Sequence, residues 1–225
     1  PNYGGWILMR HQRVLNELRI FRLTLRKMGL LYFVPHVFLY VLIPLLGIGY
    51  LLYHEDGANA RGLIFYDFQK FIPFLSVWWI LFGLDDYVEG DSSEILRVHK
   101  CSLLAEFWLM FSWYILHVAV LFLAFGIFLE NYWRDYPLIV TQALAFASVA
   151  FCLLCATQTL MVPFLLTLLY EIFGMLSNFG VLEWVNLFSL QRMENFLDFL
   201  IPYSIVFAFS CAVPFLGNYF YKKRK

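Results

Sequence analysis

The sequence predicts an all-α, polytopic membrane protein: an N-terminal amphipathic helix, then six transmembrane helices, in a single domain over residues 1–225. Three observations predict it. Of the 225 residues, 62% are hydrophobic and 14% charged, with a mean hydropathy of +0.71; soluble domains are near half apolar and a quarter charged. The apolar residues come in runs of about twenty, the length that crosses a ~30 Å hydrocarbon layer. The charges fall between the runs, where they avoid the cost of sitting unpaired in hydrocarbon. The formal net charge is zero, so no nucleic-acid partner follows from it. Cys101, Cys152, Cys155 and Cys211 lie in or beside apolar runs and suggest no disulfide framework.

In chain order, residues 7–28 read as an amphipathic helix. Leu15, Leu18, Phe21, Leu25 and Met28 recur at three- or four-residue steps, and Arg13, Arg19, Arg22 and Arg26 fill other faces. Such a helix lies flat in the headgroup layer, basic side toward anionic lipid; the plainer alternative is a charged flank of the first span. Span one is expected over Leu30–Tyr53, kinked by Pro35 and Pro44. A polar loop, His54–Gly62, leads to span two over Phe65–Leu84, with Asp67 and Lys70 one turn apart. The longest strongly charged stretch between two apolar runs follows, Asp85 to Lys100. Span three is expected over Leu103–Leu129 and span four over Leu138–Thr157. Span five covers Phe164–Phe179, a half-apolar segment 180–198, and span six Phe199–Tyr221. Span four carries Ala143 and Ala147, then Ser148, Cys152 and Ala156, at four-residue spacing. Small residues let backbones approach closely, which predicts that this span packs inside the bundle.

The basic residues set the orientation. With the N-terminus inside, the six from Arg10 to Lys27, Arg97, Lys100 and the four of Lys222–Lys225 are cytoplasmic. Arg61, Lys70, Arg134 and Arg192 are outside, a division of 12 against 4. Both termini and the stretch 85–102 then face the cytoplasm of a multi-pass plasma-membrane protein.

Motifs for chemistry are few. Asp56-Gly57-Ala58-Asn59-Ala60-Arg61 fits half of the CDP-alcohol phosphotransferase pattern. Tyr53, Lys70, Phe74 and Trp78 stand where the rest of that pattern needs Asp or Gly, so it reads as a solvated turn. Cys152 and Cys155 have redox spacing in mid-span, where a thiol is inert, and read as packing. On span three Glu106 and His117, eleven residues apart, share a face. Glu106 is near the inner surface, and His117 either faces a cavity or bonds to a neighbouring helix. No P-loop, HExxH, GxSxG or metal-ligand cluster is found, so the chain reads as a non-enzyme with neither cofactor nor metal of its own.

A basic amphipathic helix, six spans with both ends inside and a polar turn between spans two and three resemble the type-2 permease subunit of ATP-binding-cassette (ABC) exporters. In that turn Gly90, Glu94 and Leu96 hold the positions of the family's Gly, Glu and Leu, with Asp91 where Thr is common. The resemblance implies an ATP-driven exporter. A separate cytoplasmic ABC ATPase would hold ATP and Mg²⁺, and a second permease subunit, identical or different, would complete the assembly. It implies a coupling helix over Glu89, Gly90, Asp91, Ser92, Ser93, Glu94, Ile95 and Leu96. Gly90 would supply the bend, and Asp91, Ser92 or Ser93 the cap, with Glu94 completing a capping box. Ile95 and Leu96 would plug the ATPase groove. It also implies an outer re-entrant hairpin over 180–198 and a path along spans two and five. Phe74, Trp78 and Phe82 would line the path, with His117, Thr167 and Tyr170 as polar points. A 20% aromatic content suits a hydrophobic or amphipathic cargo, best an exported peptide of the bacteriocin or phenol-soluble-modulin kind. The other classes are an integral membrane lipid-modifying enzyme and a non-transporting immunity or scaffold protein.

Overall fold

The structure, a computed structural model, describes residues 18–53, 57–90, 93–100, 102–129, 132–176, 187 and 196–223, and every regular element among them is helical. Helix α1 covers 18–27. It is followed by α2 (Leu30–Val37), a π-helical turn (Phe38–Leu42) and α3 (Ile43–Tyr53). Then come α4 (Gly57–Val88), α5 (Ser93–His99), α6 (Leu104–Phe128), a 3-10 turn (Tyr132–Asp135), α7 (Tyr136–Thr157), α8 (Met161–Leu176) and α9 (Phe196–Lys223).

Among the described residues, five stretches are long and apolar enough to cross a membrane: Leu30–Tyr53, Ala60–Val88, Leu104–Phe128, Tyr132–Thr157 and Tyr203–Lys223. The chain therefore has the character of a transmembrane protein. The expected fifth span corresponds to α8, whose apolar part, Met161–Gly174, is shorter than the others. The expected outer hairpin lies outside the described residues, except that Leu187 is placed and Phe196–Asp198 already belong to α9.

Helix α7 is the axis of the bundle and packs chiefly against α9 and α4. Its small residues permit this, as their spacing predicts: Ala143, Ala147 and Ser148 are fully buried. Ser148 donates to the Ser210 carbonyl on α9 (2.7 Å), and Ser76 on α4 lies 3.0 Å from the Ala143 carbonyl. Around this centre α6 and α3 lean on α4, and α8 bridges α7 and α4.

Three local expectations change. Residues Gly57–Gly62 form the first turns of α4 rather than a polar loop. Ala60 is fully buried and Arg61 pairs with Asp135 (3.3 Å), so tertiary contacts recruit the segment into the helix. Asp85–Val88 likewise extend α4 past the apolar run. Finally, in span one, where Pro35 and Pro44 are expected to kink the helix, the irregularity is a π-helical turn over Phe38–Leu42, just before Pro44. Pro44 has no N–H to return to the chain, and the ladder widens just before it, with Ile43 N–H reaching back to the Phe38 carbonyl.

The corner between α1 and α2 is Gly29, at φ 55° and ψ −124°. This is left-handed territory that glycine enters without a Cβ clash.

Candidate functional site

Two regions of the molecule carry the polar and open features, and α8 connects them. The first is the end of the bundle built by α4, α5 and α6. Helix α4 closes with amides of Glu89 and Gly90 both donating to the Asp85 carbonyl (2.9 and 3.1 Å), a wrap that satisfies an orphan carbonyl. Gly90 is needed for packing: a Cβ there would lie 2.8 Å from the Asp86 Cα. The Ser93 amide donates back to the Gly90 carbonyl (2.8 Å), and α5 starts there. Asp91 and Ser92 lie outside the described residues.

The level of this end relative to α1 is fixed by tryptophans. Trp78 Nε1 donates to the Leu31 carbonyl (3.1 Å) and Trp79 Nε1 to the Tyr32 carbonyl (3.4 Å). Phe21 of α1 packs edge-on to Trp113 of α6 at 6.1 Å. The α1–α2 corner is thus level with Trp78, ten residues before the end of α4 at Val88. At 1.5 Å per residue, the stretch from Trp78 to Val88 is about 15 Å long, and Lys27 of α1 reaches Asp86 near its end.

At this end Met161 and Val162 of α8 and Phe215, Leu216 and Tyr219 of α9 are exposed, whereas α4, α5 and the start of α6 expose little apolar surface. From Asp67 to Ile115, the one exposed large apolar side chain among the described residues is Ile95, 66% exposed on α5. Below it, on α6 alone, Leu116, Val120, Leu123, Ile127 and Phe128 are all exposed. Glu94 is exposed beside Ile95, whereas Leu96 turns inward onto the core. The expected pair of plugs therefore splits: Ile95 points out and Leu96 anchors α5 to its own bundle.

Charged pairs lock this end together. Lys27 pairs with Asp86, and Lys100 with the buried Glu106, placing Glu106 in an ion pair at the start of α6. Asn218 of α9 accepts from Ser102 Oγ (2.9 Å) and the Leu103 amide (3.1 Å). Glu89 reaches across to α8, where its Oε2 accepts from the Leu160 amide at 2.8 Å.

The second region is a cleft of about 610 Å³ between α7, α8 and α9. Phe146, Val149, Leu166, Ile205 and Phe209 give it apolar walls, with Thr167, Tyr170 and Ser210 among them. Several polar groups of its walls bond internally. Thr167 Oγ1 lies 2.7 Å from the Pro163 carbonyl, and Ser148 donates to the Ser210 carbonyl. Tyr170 Oη accepts from the Leu187 amide (3.1 Å), and Gln142 Nε2 donates to the Leu187 carbonyl (2.6 Å). A cleft so lined offers apolar surface and few polar groups; its volume is in the range of small-molecule sites.

The six expected path residues fall in three places. Thr167 and Tyr170 line the cleft. Phe74 and Trp78 pack on Phe164 at the α4–α8 seam (5.8 and 6.0 Å), with Phe82 against Trp78 (4.6 Å). His117 is on the other side of α4, where its Nδ1 lies 2.6 Å from Tyr40 Oη and its ring is 4.7 Å from that of His36. His117 thus takes the inter-helix bond allowed for it. Sequence reasoning missed His36, Tyr40 and Glu89–Leu160; the long separation of the partners hides such pairs.

Among the described residues, no group of three or more His, Cys, Asp or Glu is placed to hold a metal ion. Cys152 and Cys155 are free. No family model, no curated protein and no solved structure matches the chain.

Proposed function

We propose that the chain is the transmembrane subunit of an ATP-driven exporter, six spans across with both termini inside. A separate ABC ATPase, holding ATP and Mg²⁺, docks on α5. A second permease subunit completes the assembly. The observation that carries this reading is on α5, where Ile95 stands exposed beside Glu94 in the charged stretch that joins two apolar runs. If the basic helix α1 lies in the headgroup layer, its pair Lys27–Asp86 puts the end of α4 near that layer. Buried anchors ringed by polar groups dominate protein–protein affinity.

The link from α5 to cargo runs through Glu89 and α8. Movement of α5 on nucleotide binding is passed by the Glu89–Leu160 bond to α8, which bears Thr167 and Tyr170 in the cleft wall. The cleft then opens or narrows by differential stabilisation of two helix arrangements. Its apolar lining favours a hydrophobic or amphipathic cargo, best an amphipathic peptide. The exposed apolar faces of α8 and α9, including Leu165, Leu166, Phe215 and Leu216, are the natural contact for lipid or the second subunit.

The test is co-purification with a P-loop ATPase from the source membrane. Retention by the unaltered chain and loss with Ile95→Asp or Glu94→Arg is the expected result. Leu96 is unsuited to the test, since it packs on the bundle itself. Undiminished retention by both variants contradicts the docking role of α5.

A further inference from the structure

Asp67 and Lys70 form a pair of opposite charges on α4 that the exporter reading does not use. Lys70 Nζ is 3.9 Å from Asp67 Oδ1, well beyond the ~2.7–2.9 Å of a charge-assisted hydrogen bond. The two groups face each other without bonding. Tyr50 of α3 donates its hydroxyl to Asp67 Oδ2 at 2.8 Å. This fixes the carboxylate and, among the described residues, leaves Oδ1 as its open acceptor. Lys70 Nζ lies over the Tyr66 ring, 3.4 Å from its centre. The Asp67 and Lys70 side chains keep 17% and 19% exposure, so a group from outside the bundle can reach both.

Their level along α4 tells what that group is. Helix α4 is continuous from Gly57 to Val88, and Lys27 of the basic α1 pairs with Asp86. From Asp86 back to Asp67 is 19 residues, about 28 Å at 1.5 Å per residue. That is close to the ~30 Å thickness of a hydrocarbon core. With Asp86 at one headgroup layer, Asp67 and Lys70 are at the other. Tyr53, Tyr66 and Trp133 are exposed on this side, as aromatic residues are at a membrane surface. Trp133 belongs to it because the Arg61–Asp135 pair ties its turn to the start of α4.

Tyr50 also joins the charged pair to an apolar groove. Leu45, Leu46, Gly49, Tyr50 and Tyr53 line an open space of about 410 Å³ on α3. A Cβ at Gly49 would meet nothing within 4 Å. The groove runs about 12 Å along the helix, from Tyr53 at the end of the span Leu30–Tyr53 toward its interior.

We propose that this face binds a zwitterionic phospholipid with a primary amine, phosphatidylethanolamine. Its ammonium donates to Asp67 Oδ1, its phosphate accepts from Lys70, and one acyl chain lies in the groove over Gly49. A headgroup set between the two side chains gives each a counter-charge at bonding distance, which they do not give each other. A choline headgroup has no N–H to donate, and a glycerol headgroup has no cation for Asp67. The inference rests on the membrane-spanning character of the chain and not on the exporter reading.

Native mass spectrometry of the full chain in detergent tests it, with titrations of phosphatidylethanolamine, phosphatidylcholine and phosphatidylglycerol of the same acyl chains. The unaltered chain should bind the ethanolamine lipid about tenfold more tightly than the choline lipid, the value of one hydrogen bond between charged groups. Asp67→Asn should remove that preference, and Lys70→Met should weaken both lipids alike. Gly49→Leu, which fills the groove, should weaken all three. Equal affinity of the unaltered chain for ethanolamine and choline lipids overturns the proposal. So does tighter binding of the glycerol lipid, or an ethanolamine preference that survives Asp67→Asn. Should Asp67→Asn fail to fold, Gly49→Leu decides, since position 49 faces open space: unaltered affinity there overturns the proposal equally. No ATPase enters the readout, so its failure and that of the exporter reading are separate results.

Discussion

Asp135 shows how much a single side chain can hold in this molecule. Its carboxyl is fully buried and pairs with Arg61, whose side chain keeps 13% exposure. The pair ties the first turns of α4 to the approach of α7. Removing one partner of a buried pair leaves an uncompensated charge, which costs about 3–5 kcal/mol, whereas an apolar replacement of both is near neutral. Asp135→Ala should lower the thermal unfolding midpoint in detergent markedly, and Arg61→Met with Asp135→Leu should recover most of the loss; an unchanged midpoint for the single variant would contradict this account. Glycines give a second contrast. A Cβ on Gly217 would lie 2.9 Å from the Cys152 Cα, a backbone atom of α7, while Gly49 has nothing within 4 Å. Gly217→Ala forces α7 and α9 apart and should cost about 1–3 kcal/mol. Gly49→Ala should be neutral or stabilising, since alanine is the better helix former. The same unfolding measurement compares them.

Among the elements, α5 and α8 carry the functional argument. The Glu89–Leu160 bond is a link between the two turns on this end of the bundle, and nothing else in the exporter reading transmits motion to the cleft so directly. Glu89→Ala should leave the ATPase bound and its basal turnover intact while abolishing stimulation by an amphipathic peptide. Stimulation equal to that of the unaltered complex would remove Glu89 from the path. Helix α5 was legible in outline, because Gly90, Glu94 and Leu96 punctuate a charged stretch between apolar runs. The division of labour between Ile95 and Leu96 was not legible, since neighbouring residues on so short a helix give no periodic signal. The start of α4 misled for a related reason. Gly57-Ala58-Asn59-Ala60-Arg61-Gly62 is polar and glycine-bounded, and only the distant Asp135 reveals why it is helical. In contrast, the burial of α7 could be read from Ala143, Ala147 and Ser148 alone, because close backbone approach needs small side chains at helical spacing.

At the scale of the whole molecule, the apolar runs define the helices and α7 organises them. Length and hydropathy carry this much because a bilayer demands both. They leave open how a short helix such as α8 meets the membrane, and they say nothing of the cleft, which arises from where α8 and α9 diverge beside α7. Nor could composition reveal that His117 and Thr167 face different surroundings, with α4 between His117 and the seam to α8. The molecule as described has the short helix α5 with Ile95 exposed at one end, an apolar cleft along one flank, and a basic helix tied to Asp86 by Lys27 and packed on Trp113 by Phe21. Sidedness decides whether these parts form a machine. With Ile95→Cys in otherwise unaltered cells, a membrane-impermeant maleimide should react no more than with the unsubstituted chain, and should label strongly once the membrane is opened. Strong labelling of Ile95→Cys in intact cells would put α5 outside, away from any nucleotide-driven partner, and would contradict the account.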